Sequence, residues 1–347
     1  MRRSPVLAAL AALLACSSPE VDFSGPIADW PAYGGDAGGA RHSPLTQIDA
    51  DNVRHLEVAW TYRTGDVQDG SDGNPVRSSF QNTPILVDGT LYLCTPFNRV
   101  IALDPETGEE RWAWDPGVDR RGMYLLNCRG VSSWLDERAP EGAVCRRRIL
   151  TGTLDARLVA LDARTGTPCQ GFGENGTVDL RGGVGDAKPG EYGVTSPPTV
   201  IGDRIVTGAM VLDNRRVDMP GGVVRAFDAR SGAEVWGWDP VLPGTPGPDD
   251  GVRYRRGTTN AWTTFAADPE LGLVYVPTGN TSADYYGGHR EGGDHYSSSV
   301  VALRARDGTV AWHFQTSTTT SGTTTCRPSP PSSPSAARAD RSRRWPR

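Results

Sequence analysis

The stretch ALDPETGEERW at 102–112 returns three more times, as ALDARTGTPCQ at 160–170, AFDARSGAEVW at 226–236 and ALRARDGTVAW at 302–312. Glycine falls four residues after the aspartate position in every copy, and in three copies tryptophan follows four residues later. Two copies depart, with Gln170 in place of tryptophan and Arg304 in place of aspartate. The pattern reads as a tight turn between strands. An apolar run such as RVIALD ends, the aspartate caps the turn amides, and glycine supplies the positive φ. The return strand then carries its tryptophan inward.

The copies start 58, 66 and 76 residues apart, about the length of a four-stranded antiparallel unit with its loops. Upstream of three copies lie hairpin patterns, TPILVDGTLYLCTP, SPPTVIGDRIVTGA and DPELGLVYVPTGN, each with two strands around a DG-, GD- or LG-type turn. Regular strands with one aromatic per unit predict an all-β chain folded as a β-propeller. A generic β-sandwich does not repeat over such long periods.

Composition agrees. With 42 glycines and 27 prolines in 347 residues and 37% hydrophobic content, the chain favours many short strands joined by turns. The net charge of −5 gives no basic footprint for nucleic acid, and Lys188 is the single lysine among 36 basic side chains. The opening MRRSPVLAALAALLACSSPE sets two arginines before an apolar run at 6–15, too short to span a bilayer. It reads as a signal peptide over 1–15. Leu13, Leu14, Ala15 and Cys16 resemble a bacterial lipobox, which implies a lipid-anchored periplasmic protein with a flexible tether at 16–28. Export permits disulfides. Cys128 and Cys145 bracket a 16-residue insertion and are the expected pair, with Cys94 and Cys169 left unassigned.

The segment at 29–66, DWPAYGGDAGGARHSPLTQIDADNVRHLEVAWTYRTGD, resembles the opening of bacterial quinoprotein dehydrogenases. These are eight-bladed propellers that use pyrroloquinoline quinone (PQQ) and a divalent cation. FQNTP at 80–84, NCRGVS at 127–132, TSPP at 195–198, TTNAW at 258–262 and PTGN at 277–280 extend the resemblance in order. It covers residues 29–316, roughly the first half of such a ring. It is nearest to the glucose- and quinate-type branch, because the adjacent cysteine pair of the methanol type is absent. Those relatives usually carry membrane helices, whereas this chain shows a lipobox.

PQQ is a flat, electron-poor ortho-quinone with three carboxylates. Holding it takes an aromatic floor, cationic or hydroxyl partners, and a hard cation on the quinone oxygen. The resemblance implies Trp262 as the floor, Arg129 beside the quinone oxygens, and Gln81 and Thr195 around the rim. It implies Asp213, Asn214 and Asn280 as ligands of Ca2+ or a similar divalent or lanthanide ion, which prefers oxygen donors. Taken singly, each has an ordinary structural explanation; their order and spacing favour the cofactor site. Trp134 stands where glucose-type enzymes carry histidine, which argues against glucose, and His289 is a candidate for the mouth of the site. The activity implied is oxidation of an alcohol, polyol or sugar, with electrons passing to a quinone or cytochrome. The rival expectation is a non-enzymatic propeller lipoprotein serving as an outer-membrane assembly scaffold.

After WHFQT the family continues with a segment like VHHDLWDYDVPAQP, whose second aspartate-bearing step holds the catalytic base. Here the chain reads STTTSGTTTCRP. Threonine codons read one base early encode only Tyr, His, Asn or Asp. Serine codons of the TCN type become Phe, Leu, Ile or Val codons, glycine codons become Arg, Trp or Gly, and cysteine codons become Leu, Met or Val. V-HHD-L-W-DYD-V satisfies every position from Ser317 to Cys326. The expectation is an out-of-frame tail over 317–347 that lacks the base, leaving an inactive and unstable product. A genuine Ser/Thr/Pro-rich linker is the alternative.

Overall fold

The computed structural model describes residues 29–70, 77–248, 251–289 and 294–317. The expectations for a signal peptide, the lipobox Cys16, a tether and an out-of-frame tail fall almost entirely outside these residues, as does the side chain of His289. Among the described residues there is no α-helix. Four antiparallel sheets of four strands follow one another as blades.

Blade 1 comprises Ile85–Val87, Thr90–Cys94, Val100–Leu103 and Glu110–Trp114. Blade 2 comprises Ser132–Leu135, Arg147–Gly152, Arg157–Asp162 and Thr177–Asp179. Blade 3 comprises Thr199–Ile201, Arg204–Thr207, Val224–Asp228 and Glu234–Trp238. Blade 4 comprises Ala266–Asp268, Leu273–Pro277, Ser299–Arg304 and Val310–Gln315. The first strands of blades 2, 3 and 4 lie against one another and line the inner side of the arc.

Apolar faces of neighbouring blades close on each other. Ile85 and Val100 meet Ile149 and Leu161 between blades 1 and 2. Leu150 and Leu158 meet Ile205 and Phe227 between blades 2 and 3. Val206 and Val224 meet Val274 and Leu303 between blades 3 and 4. Every one of these side chains is essentially removed from water, so burial of apolar area is what holds the arc together.

The repeated turn forms as its sequence dictates. The carboxylate of Asp104 accepts from the amides of Glu106 and Thr107 at 2.9 and 3.0 Å, and the Gly108 amide donates to the Asp104 carbonyl at 2.9 Å. Gly308 makes the same backbone bond to Arg304 at 2.8 Å, so the copy without aspartate keeps the turn and loses only the cap. The tryptophans, however, do not stay within their own sheet. Trp60, Trp112 and Trp236 donate their indole N–H groups to the carbonyls of Pro105, Ala163 and Ala305 at 3.1, 2.9 and 2.9 Å, each in the next turn along the chain. Each ring covers the glycine of that turn, where a Cβ would sit 2.5 Å from ring carbon. The glycine is therefore needed both for its positive φ and to admit the neighbouring indole.

The cysteine expectation is corrected. The bonds are Cys94–Cys128 and Cys145–Cys169. Strand Ser132–Leu135 runs between Cys128 and Cys145 and carries them to opposite ends of blade 2, so closeness in sequence misleads.

Candidate cofactor and metal site

Strand alternation decides where loops go. In a sheet ordered first to fourth, the segment entering the first strand and the loop joining the second to the third emerge at the same end. The repeated turn, joining third to fourth, lies at the opposite end. Gln81, Arg129, Thr195 and Trp262 each precede a blade's first strand by three or four residues. Asp213, Asn214 and Asn280 lie in the second-to-third loops of blades 3 and 4. All seven candidates therefore occupy one end of the arc, away from the repeats that build it.

Side-chain contacts tie most of them together. The Arg129 guanidinium carbon lies 5.0 Å from the centroid of the Trp262 ring. Arg129 donates from its backbone amide and its guanidinium to the Thr195 carbonyl, at 3.0 and 3.3 Å. The Thr195 hydroxyl donates to the Trp262 carbonyl at 3.0 Å, and Ser196 does so at 2.8 Å. Thr195 is thus a buried brace between the arginine and the tryptophan. Trp262 itself is 43% exposed, in contrast to the docked Trp236 at 7%. Its indole is not filling a core.

Burial draws the Arg129 guanidinium below the ordinary arginine value, opposed by nearby Tyr33. Among the described residues no carboxylate pairs with it. A part-buried cation against an open aromatic ring, with no counter-ion among the described residues, is an arrangement chemically suited to a flat anion. Gln81 joins through its neighbour, since the Asn127 amide donates to its side-chain oxygen at 2.8 Å. The parallel pairing of Phe80 with Cys128 places the two segments side by side. The Cys94–Cys128 bond, adjacent to Arg129, fixes that edge to blade 1.

The acidic side of the site centres on Asp213. Its Oδ2 accepts from Asn260 Nδ2 at 2.7 Å, and its backbone carbonyl accepts from the amide of Asp284 at 3.1 Å. Gly279 donates to the Asn260 carbonyl at 2.8 Å, placing Asn280 beside this pair. The Asn280 side-chain oxygen accepts from the Ser298 hydroxyl at 3.1 Å. A Cβ on Gly279 would sit 2.7 Å from Asn260 Oδ1 and 3.3 Å from Trp262 Nε1, so the indole edge and the amide face one narrow space. No hydrogen bond links the Asn214 side chain to these groups among the described residues.

These residues fit a planar anion and a hard cation. Among the described residues nine buried side-chain atoms lack a hydrogen-bond partner, and three of them, oxygens of Asn260, Ser282 and Asp284, fall in this loop cluster. Oxygen donors are the set a hard cation takes. Asn260 and Asp284 were missed as individual candidates, although Asn260 lies inside TTNAW. A buried amide carries no sequence signal until its partners are known.

Trp134 belongs elsewhere. At 4% exposure it lies between the guanidiniums of Arg148 and Arg230, 5.3 and 5.0 Å away, inside the packing of blades 2 and 3. Its difference from histidine therefore carries no information about substrate at the loop end.

With arc and loop cluster in view, the class is a quinoprotein-type propeller. The family model for PQQ glucose/ethanol/alcohol dehydrogenase, beta-propeller domain, matches residues 30–319, and the chain belongs to this family. It is 40% identical over 302 residues to the glycerol dehydrogenase large subunit of Gluconobacter oxydans (strain 621H), covering 86% of this chain and 40% of that protein. It is 39% identical over 312 residues to the quinoprotein glucose dehydrogenase of Escherichia coli (strain K12), covering 87% and 39%. The quinohemoprotein alcohol dehydrogenase from Comamonas testosteroni superposes with a TM-score of 0.67 at 28% identity, covering 83% of this chain and 41% of that one. The chain thus spans about two fifths of the length of these relatives.

Proposed function

We propose that this chain is part of a PQQ- and metal-dependent dehydrogenase acting on an alcohol, polyol or sugar in the periplasm. Electrons leave to a quinone or cytochrome, and a lipid at Cys16 anchors the protein to the membrane. The observation carrying the reading is the part-buried Arg129 guanidinium, without a carboxylate partner among the described residues, 5.0 Å from the half-exposed Trp262 ring.

In this reading Trp262 is the floor against which the cofactor lies, and Arg129 neutralises its negative charge. Thr195 and Ser196 hold the tryptophan backbone, so the indole keeps its angle when the site fills. Asp213 and Asn280 supply oxygens to the cation, and Gln81 with Asn127 closes the edge nearest blade 1. When bound, PQQ supplies the electron-accepting quinone, polarised by the cation. The group that takes the alcohol proton is the base expected in the out-of-frame segment, so the polypeptide with this sequence does not turn over. The scaffold alternative draws no support from any contact here, since it leaves the Arg129–Trp262 pair and the partnerless oxygens without a role.

The test is a titration with PQQ in calcium buffer, followed by tryptophan fluorescence. Quenching is expected in the unmodified chain, with clear loss in Trp262→Ala and Arg129→Ala. Equal quenching in all three overturns the reading. Dye reduction by the chain as it stands overturns the inactivity.

A further inference from the structure

The side chain of Asn260 is fully buried, yet only half of its amide is used. Nδ2 donates to Asp213 Oδ2 at 2.7 Å, while Oδ1 has no partner. The orientation is chemically determined, because turning the amide over would set its oxygen against a carboxylate oxygen. With the nitrogen committed, the oxygen is directed to the side of Gly279, where an added Cβ would sit 2.7 Å away. Only glycine at 279 lets the loop pass this close to the oxygen.

The surroundings hold this amide still. The Asn260 carbonyl accepts from Gly279, and the neighbouring hydroxyls of Thr259 and Thr281 bond at 2.8 Å, zipping the two loops together. The Asp284 amide on the same loop closes onto the Asp213 carbonyl. A rigid, buried, neutral oxygen next to a carboxylate is costly when left unpaired and favourable on a cation.

We propose that Asn260 has two tasks toward the bound cation: Oδ1 is a ligand, and Nδ2 is the clamp that fixes the Asp213 carboxylate. This deepens the proposed function and rests on a cation being bound there. It also explains why an amide stands at this position. Aspartate would offer oxygen but repel Asp213, and alanine would offer neither group.

The test uses the full chain stripped of metal by chelation, with PQQ left out. Tb3+ binding is read by sensitised luminescence, and Ca2+ by competition, for the unmodified protein, Asn260→Ala and Asn260→Asp. The alanine variant is expected to bind about ten- to a hundred-fold more weakly. The aspartate variant keeps the oxygen but loses the N–H clamp on Asp213, so it binds more tightly than the alanine variant. Its metal-free form melts at a lower temperature, and added cation restores the melt. Alanine binding unchanged, or aspartate binding weakened as far as alanine, overturns the inference. Should the alanine variant fail to fold, the aspartate arm decides alone, and binding weakened by about a hundred-fold or more overturns the inference. An unmodified chain that binds PQQ but no cation sinks this inference and spares the aromatic half of the functional reading. One that binds neither sinks both.

Discussion

The Arg148 guanidinium donates to the carbonyl oxygen of Ala229 at 2.9 Å, in the place where the other repeats put a tryptophan indole. It also bonds the Arg230 carbonyl at 2.7 Å and the Cys145 carbonyl at 3.1 Å. Gln170 stands where this blade's tryptophan belongs, and Gly232 is covered instead by Gly173, Val178 and Phe172, which lie 2.7, 3.0 and 3.2 Å from where its Cβ would sit. Ring and N–H, one residue elsewhere, are here divided between Phe172 and Arg148. Burial pulls the Arg148 guanidinium below the ordinary arginine value, and Asp136 opposes that shift.

Arg148→Ala removes three hydrogen bonds and leaves three carbonyls without that donor, one of them the buried carbonyl of Ala229. The expected loss is about 2–4 kcal/mol. Trp236→Phe keeps an aromatic ring but loses the N–H and part of the indole that covers Gly308, costing about 1–2 kcal/mol. Urea melts of both variants check the order; a milder effect for Arg148→Ala would show that its hydrogen bonds add little to the apolar packing between blades 2 and 3.

Peptide mapping without reduction should recover Cys94 linked to Cys128 and Cys145 linked to Cys169. Each bond closes a short loop, of 34 and 24 residues' separation, and contributes about 2–4 kcal/mol by restricting the unfolded chain. A fragment joining Cys128 to Cys145 contradicts the blade packing described above.

Acid should weaken the repeated turn in a defined window. The Arg111 hydrogen bond, followed by the Thr107 amide, holds the Asp104 carboxyl at about 2, below its ordinary 3.8. A depressed carboxyl contributes stability that is present above the unfolded value and is lost as pH falls through about 2. Asp104→Asn should therefore make the melting temperature less sensitive to pH between about 4 and about 2. An unchanged slope would mean that the cap contributes nothing to folding.

The codon pattern over residues 317–326 predicts that restoring one base upstream opens a long frame containing the expected base-bearing segment. Sequencing the gene there checks it directly. In the restored protein Trp312, now 46% exposed, should dock on a following turn as Trp60, Trp112 and Trp236 do. Acrylamide quenching of Trp312 in a background lacking other exposed tryptophans should then fall. Quenching that stays high would mean that no further blade covers it.

Much of the architecture could be read without coordinates. The aspartate cap, the glycine at positive φ and the apolar run before them are local chemistry, so Asp104, Gly108 and their copies announced the blades. The hairpin at Asp88 and Gly89 was equally plain, because two adjacent residues at positive φ make the turn. The destination of the tryptophans was not readable, since the carbonyl that receives Trp112 lies 51 residues away. The cysteine bonds failed for the same reason.

The order of residues alone determined a succession of four-stranded sheets and the end of each sheet at which Arg129, Trp262, Asp213 and Asn280 emerge. Those follow from hydrophobic alternation and turn chemistry, which act over a few residues. Only the folded arc decided that Arg129 meets the face of Trp262, that Asn260 clamps Asp213, and that Arg148 substitutes for an indole. Such contacts join loops dozens of residues apart, and their geometry exists only once neighbouring blades have excluded water from between them.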